Sequence, residues 1–345
     1  MMIRQTAFTR ALGIEVPLIC GAMYPCSNPE LVAAVSEAGG IGVVQPLSLS
    51  YVHGYDYRDG LRYIRSLTQK PIGVNLIIEQ SSQRYLDRVR EWLEISLEEQ
   101  VSFFVTALGK PDWVVQRAGP GVTVYHDVTS RKWAEKALDG GVDGFICVNN
   151  RAGGHAGELS PRQLLDDIGP LGKPLVCAGG IGRAEEFAAA IASGYTAVQM
   201  GTRFIAAAEC SAHADYKAAI IQAGEQDIVL SEKISGVPVS IIRTPYIERV
   251  GTKAGPLARW MLRGHKTKHW MRTLYSLQSI WKLKRASMQG LTYKDIFQAG
   301  KSVAGIESVE TVAAIVSAFA AALPAEAGKD SAGVQYSDAS CRSRR

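Results

Sequence analysis

The chain has 345 residues, 47% of them hydrophobic and 21% charged, with a net charge of +5. This is ordinary globular composition, and so small a net charge gives no ground for a nucleic-acid partner. No apolar run approaches the roughly 18 residues that span a bilayer, and the first residues lack the apolar stretch of a secretory signal. Six cysteines without a C-x-x-C spacing argue against a disulfide framework or a zinc site, so the expectation is a reducing cytoplasm.

From residue 16 short apolar runs alternate with longer amphipathic ones. The runs are VPLICGAM (16–23), IGVVQPL (41–47), PIGVNLII (71–78), VSFFVTALG (101–109), VTVYHDV (122–128), DGFICVN (143–149), PLVCAGG (174–180) and AVQMGTRF (197–204). They are continuous rather than alternating, as parallel strands covered on both faces should be. Helical patterns lie between them. NPELVAAVSEAGG (28–40) opens on Asn28 and Pro29 and closes on glycine, which are start and stop signals. Eight β–α units in about 210 residues predict an α/β fold, a closed (β/α)8 TIM barrel, over an open doubly wound sheet. Cys20, Cys147 and Cys177 fall inside the apolar runs and read as buried small hydrophobes.

After residue 225 the alternation ends. Residues 249–285 carry ten lysines and arginines and no acid, with Trp260, Trp270 and Trp281 interleaved. This reads as a basic helical extension or lid over 226–325. Such a segment suits an anionic membrane surface, the phosphates of a bulky thioester, or simply a solvated cover on the barrel. VETVAAIVSAFAAAL (309–323) predicts a closing helix, and the Ser-, Ala- and Gly-rich stretch 326–345 a disordered tail.

Active sites of such barrels lie at the C-terminal ends of the strands. Here those ends carry Gly21-Ala22-Met23, Asn75, His126-Asp127, Asn149 to Gly157, Ala178-Gly179-Gly180 and Gly201-Thr202-Arg203. The seventh and eighth positions are where barrels build phosphate sites from glycine N–H groups and a helix start. The alternative is that Gly179, Gly180 and Gly201 only make tight turns. His155 stands in NNRAGGHAGE (149–158), and an imidazole can accept a proton at neutral pH. It could equally be a polar loop residue. His213 reads as structural, and the histidines lack metal-ligand spacing, so no metal is expected.

Five motifs in order, CGAM (20–23), GVNL (73–76), AGGHAGE (152–158), AGGIG (178–182) and MGTRF (200–204), resemble the nitronate monooxygenase family. That family includes FMN-dependent enoyl-acyl-carrier-protein reductase and NAD(P)H:quinone reductase relatives, and the likeness covers roughly residues 6–225. The resemblance implies a flavoprotein with FMN as cofactor. Gly21, Ala22 and Met23 would lie along the flavin ring, with Asn75, Asp127, Gly153 and Gly154 beside it. Ala178, Gly179, Gly180, Gly201 and Thr202 would hold its phosphate. His155 would be the catalytic residue, taking the α-proton of a nitroalkane or placing the substrate.

Two positions depart from that family. Arg151 stands where many members carry glutamate, and Asp127 where some carry lysine, which suggests that the two pair with each other in swapped polarity. His126, at the end of its strand, is a candidate supporting residue. The leading expectation is a monooxygenase of alkyl nitronates, with a domain boundary near residue 225. Alternatives are an NAD(P)H-dependent reductase of an enoyl thioester or quinone, and a non-catalytic flavin-binding barrel. A homodimer is compatible with each.

Overall fold

The parallel strands expected from the apolar runs close on themselves. In the computed structural model, which describes residues 5–80, 82–232, 237–253 and 296–324, β1 (Leu18–Cys20), β2 (Ile41–Val44), β3 (Ile72–Ile77), β4 (Phe103–Ala107), β5 (Thr123–Val128), β6 (Gly144–Val148), β7 (Leu175–Ala178) and β8 (Ala197–Met200) follow in chain order. β8 pairs in parallel with β1, completing an eight-stranded barrel. Helices α2 (Pro29–Glu37), α3 (Tyr57–Leu67), α4 (Gln83–Glu98), α5 (Asp112–Ala118), α6 (Arg131–Asp139), α7 (Pro161–Ile168) and α8 (Ala184–Ser193) connect them. The α2 pattern starts and stops where Pro29 and the following glycines place it.

Each strand is buried on both faces, so alternate residues enter two separate cores. The outer core lies between barrel and helices and takes Phe104, Val124, Val128, Phe145, Cys147, Cys177 and Met200. The inner one takes Ile19, Ile41, Val43, Phe103, Val105, Tyr125, Ile146, Val176 and Ala197. The N-terminal opening is plugged by α1 (Ala7–Leu12), whose N-cap Thr6 accepts from the Thr9 N–H in a reciprocal capping box. Phe8, fully buried, sits edge-on to Phe103 and Tyr125 at centroid distances of 5.8 and 5.6 Å.

After β8 come the short α9 (Thr202–Ile205) and α10 (Ala214–Gln222). The region read as a helical extension then opens with an antiparallel hairpin, β9 (Ile228–Ser231) and β10 (Val239–Ile242), followed by α11 (Pro245–Val250). Four-residue strands leave too short an alternation to be read from sequence. Most of the basic stretch, with Trp260, Trp270 and Trp281, and the tail after residue 324 lie outside the described residues. The chain returns at Ile296 and ends its described part in α12 (Val312–Ala321). Phe319 of α12 packs on Phe187 of α8 at 5.5 Å. No helix among the described residues is long and apolar enough to cross a membrane.

Candidate active site

Because all eight strands run the same way, their C-terminal ends form one mouth, and the glycine- and polar-rich segments converge there. Side-chain parity decides which of them look into it. Asp127 has the parity of inward-facing Tyr125, and Asn75 that of Gly73, paired with Phe103. Gln199 follows inward-facing Ala197 at the same interval. His126 has the opposite parity: it faces the helical layer, and its Nδ1 lies 2.8 Å from the Thr106 hydroxyl. Burial pushes its pKa down to about 4, so it is neutral. His126 therefore supports the barrel wall and does not reach the mouth.

The floor of the mouth is the CGAM segment. Gly21 donates its N–H to Met200 O, and the Met23 N–H is held by Ser27 Oγ at 2.8 Å. A Cβ on Gly21 would come within 2.9 Å of Gln199 Cγ. Ala22, like Val148, packs on the inner core. Asn75 is 8% exposed and its amide donates to Val105 O at 3.2 Å. Gln45 accepts from the Ser48 N–H at 2.7 Å, which starts the wide turn Ser48–Val52 over the end of β2. Gln45 and Gln199 were not singled out from the sequence. In a continuous apolar run only the parity of the closed barrel distinguishes an inward glutamine.

The loop carrying His155 is fixed at several points. Fully buried Asn149 donates to Gly179 O at 3.0 Å and accepts from the Arg151 N–H at 2.8 Å. Ser240 of β10 donates to Gly154 O, and Lys301 donates its backbone N–H to Arg151 O. Gly153 meets the backbone of residues 299 and 300 so closely that a Cβ would lie 2.9 Å from Gly300 N. A Cβ on Gly157 would lie 2.4 Å from Val148 O. These glycines thus have a packing reason of their own: the loop is clasped between β10 and the returning chain. His155 is exposed on this loop, yet the surrounding concavity desolvates it and holds its pKa below the ordinary imidazole value.

The expected Arg151–Asp127 pair does not form. The Arg151 guanidinium makes a two-pronged bond to Glu225, 2.9 Å on each prong, and Lys301 Nζ joins the same carboxylate at 3.3 Å. These cations hold the Glu225 carboxyl below its usual range. The Oδ1 of half-buried Asp127 is closed off from solvent and has no hydrogen-bond partner among the described residues. Burial pushes its pKa up to about 7.

Beside the mouth lie the loops after β7 and β8. Gly179 and Gly180 have φ of +118° and +79°, which glycine alone adopts without strain. A Cβ on Gly180 would also strike the Arg151 side chain, at 2.5 Å from Nε. Among the described residues, the backbone N–H groups of Gly180 and Gly201 have no acceptor. The Thr202 hydroxyl accepts from the Gly300 N–H at 3.0 Å and keeps its own hydrogen to give. Arg203, next in line, is turned away into a pair with Glu310 and a bond to Ser308 O. His213 caps α10 by accepting from the Asp215 N–H, in keeping with a structural role. No group of three or more metal-ligating side chains occurs among the described residues.

Comparison with known proteins agrees with this architecture. A family model described as nitronate monooxygenase matches residues 5–321. A nitronate monooxygenase of Pseudomonas aeruginosa is 31% identical over 257 residues, covering 62% of this chain and 72% of that protein. A (3aS,4S,5R,7aS)-5-hydroxy-7a-methyl-1-oxo-octahydro-1H-indene-4-carboxyl-CoA dehydrogenase of Rhodococcus jostii is 25% identical over 334 residues, 89% and 92% of the two chains. Among solved structures, FabK of Thermotoga maritima superposes with a TM-score of 0.76 at 28% identity, covering 92% of this chain and 96% of that one.

Proposed function

The chain belongs to the nitronate monooxygenase family, whose relatives are flavin-dependent oxidoreductases, and on that premise we propose that it is an FMN-dependent monooxygenase of alkyl nitronates, which it also forms from the neutral nitroalkanes. The observation that carries this reading is His155: an imidazole kept neutral, presented at the barrel mouth by a loop clasped at several points. A fixed neutral base is what removing a proton from a carbon acid requires.

The site's donor set fits a flavin phosphate and ring. Two N–H groups without acceptors, at Gly180 and Gly201, and the hydrogen of the Thr202 hydroxyl form an anion cradle. Ala178 and Gly179 complete its wall. Gly21, Ala22 and Met23 give the ring a floor with little side chain, while Asn75, Asp127, Gly153 and Gly154 border it. Bound FMN supplies the electron transfer that no protein side chain performs. The protein's own part is to hold, orient and deprotonate. His155 takes the α-proton of the neutral nitroalkane, and Arg151, locked on Glu225, keeps the histidine loop in place. In this scheme the described residues up to 225 form the flavin-binding barrel, and β10 with residues 298–301 lies against its histidine loop.

A second reading, NAD(P)H-dependent reduction of an enoyl thioester or quinone, has its own support. The Rhodococcus relative is named for a carboxyl-CoA substrate and aligns over 89% of the chain. The strand ends around the mouth also carry exposed apolar side chains, Leu108 at 57% with φ +59° and Tyr51 at 48%, which suit a bulky acyl group. The test is anaerobic bleaching of bound-flavin absorbance by an alkyl nitronate, and separately by NADH and NADPH. Bleaching by the nitronate is expected. Bleaching by a nicotinamide alone would replace the first reading with the second.

A further inference from the structure

Two of the polar side chains that face into the barrel near its mouth are held by the protein itself. Asn75 gives its amide hydrogen to Val105 O and Gln45 gives its oxygen to the Ser48 N–H. Asp127 differs, with Oδ1 sealed from water and no partner among the described residues. A polar atom left so is destabilising, and a ligand in the mouth that completes the bond relieves that cost. Resting on the flavin reading above, we propose that Asp127 enters the complex as the neutral acid and donates its O–H to an acceptor on the flavin ring, so that flavin binding draws a proton from solvent.

The surroundings favour the neutral form. Across the β5–β6 ladder Asp127 faces Ile146, and the neighbouring Cys147 thiol is pushed far up by burial and is uncharged. On β4 the inward residues are Val105 and Ala107, while Thr106 and His126 are occupied with each other on the outer face. Tyr125, two residues below, is a neutral phenol whose pKa burial also raises. In the loop after β6, His155 is held neutral, and the only guanidinium, that of Arg151, is spent on Glu225. No cation among these groups stabilises a carboxylate at Asp127, and burial alone sets its proton affinity. A lysine at this place would present a positive charge to the ring, whereas this chain presents a hydrogen that it can lose near neutral pH.

The experiment is a titration of the full-length apoprotein with FMN, followed by quenching of flavin fluorescence, between pH 7.0 and 8.5. The flavin phosphate completes its second ionisation near pH 6, below that window. For the wild type the dissociation constant is expected to rise about tenfold across it, because a group titrating near 7 loses one proton per site there. Asp127→Asn keeps a hydrogen-bond donor of the same shape and is expected to bind with no pH dependence. A constant unchanged within twofold in the wild type, or the same slope in Asp127→Asn, would overturn the inference while leaving the flavin reading intact. Failure of the wild type to bind FMN at any pH would remove both.

Thermal melts of the same apoproteins give an independent readout. With its folded pKa raised, Asp127 holds more protons folded than unfolded between about pH 4 and about 7. Its contribution to stability therefore falls as pH climbs through that window. Asp127→Asn should melt higher than the wild type at pH 8 and close on it towards pH 5. A constant difference would contradict a buried neutral acid.

Discussion

The floor and the mouth of this barrel are made by the same strands and filled on opposite principles. At the floor, Phe8, Phe103 and Tyr125 meet edge to face and seal the interior with apolar surface. At the mouth, a few residues further along the same strands, the inward positions turn to Asn75, Asp127 and Gln199, and the loops beyond them to glycine. The floor satisfies itself, whereas the mouth keeps an orphaned carboxyl oxygen and backbone N–H groups without acceptors. One end contributes stability, and the other leaves the groups that the proposed ligand would satisfy. The same division is general in barrels of this kind.

Substitutions at the two ends should separate accordingly. The largest effect is expected at the mouth: His155→Ala should lower kcat/KM for a neutral nitroalkane by roughly 10²–10⁴-fold, with the melting temperature unchanged. A pre-formed nitronate has already lost its proton, so turnover of that substrate should largely survive. Equal loss on both substrates would show that His155 positions and does not deprotonate. The wild-type profile should share this logic. With the His155 pKa lowered, kcat/KM for the nitroalkane should rise with pH along a limb lying below about 6.5, the ordinary imidazole value, and then level off.

Phe8→Ala is the converse. Removing a fully buried aromatic from the floor should cost about 3–5 kcal/mol in chemical denaturation, with activity per folded molecule preserved. If Phe8→Ala instead abolished flavin binding while leaving stability intact, the division between the ends would fail. Gly300→Ala probes the clasp. Its Cβ would lie 2.6 Å from Gly153 N, a backbone atom that cannot swing away. An expected loss of about 1–3 kcal/mol should come with a raised KM, since the histidine loop must shift. Arg151→Gln should do least to stability, under about 1 kcal/mol, because the Glu225 pair is part-exposed and screened. Its effect should appear in KM, through a looser loop.

The fold was legible from one pattern. Eight continuous apolar runs at regular spacing located every barrel strand, and the start and stop residues of 28–40 located α2. The convergence of the glycine segments followed from the rule that parallel strands end together. Three features of the site were not legible. His126 and Asp127 are neighbours in sequence, and a run without alternation gives no clue to which of them faces inward. The reversed charges at 127 and 151, relative to the family, suggested that Arg151 pairs with Asp127, but its partner, Glu225, lies 74 residues on. The resemblance places Gly153 and Gly154 of NNRAGGHAGE beside a flavin, and nothing in the sequence shows that Gly153 also admits the backbone of Gly300.

By itself, then, the sequence determined the order of strands and helices, the end of the barrel where the glycine- and polar-rich segments gather and the loop that carries His155 there, because these depend on local periodicity and on chain direction. Only the tertiary structure decided which face each strand residue presents, which carboxylate takes the Arg151 guanidinium and which keeps a sealed oxygen without a partner among the described residues. Those outcomes depend on barrel closure and on the return of residues 296–301 over the loop, contacts between segments far apart in the chain that no local pattern encodes.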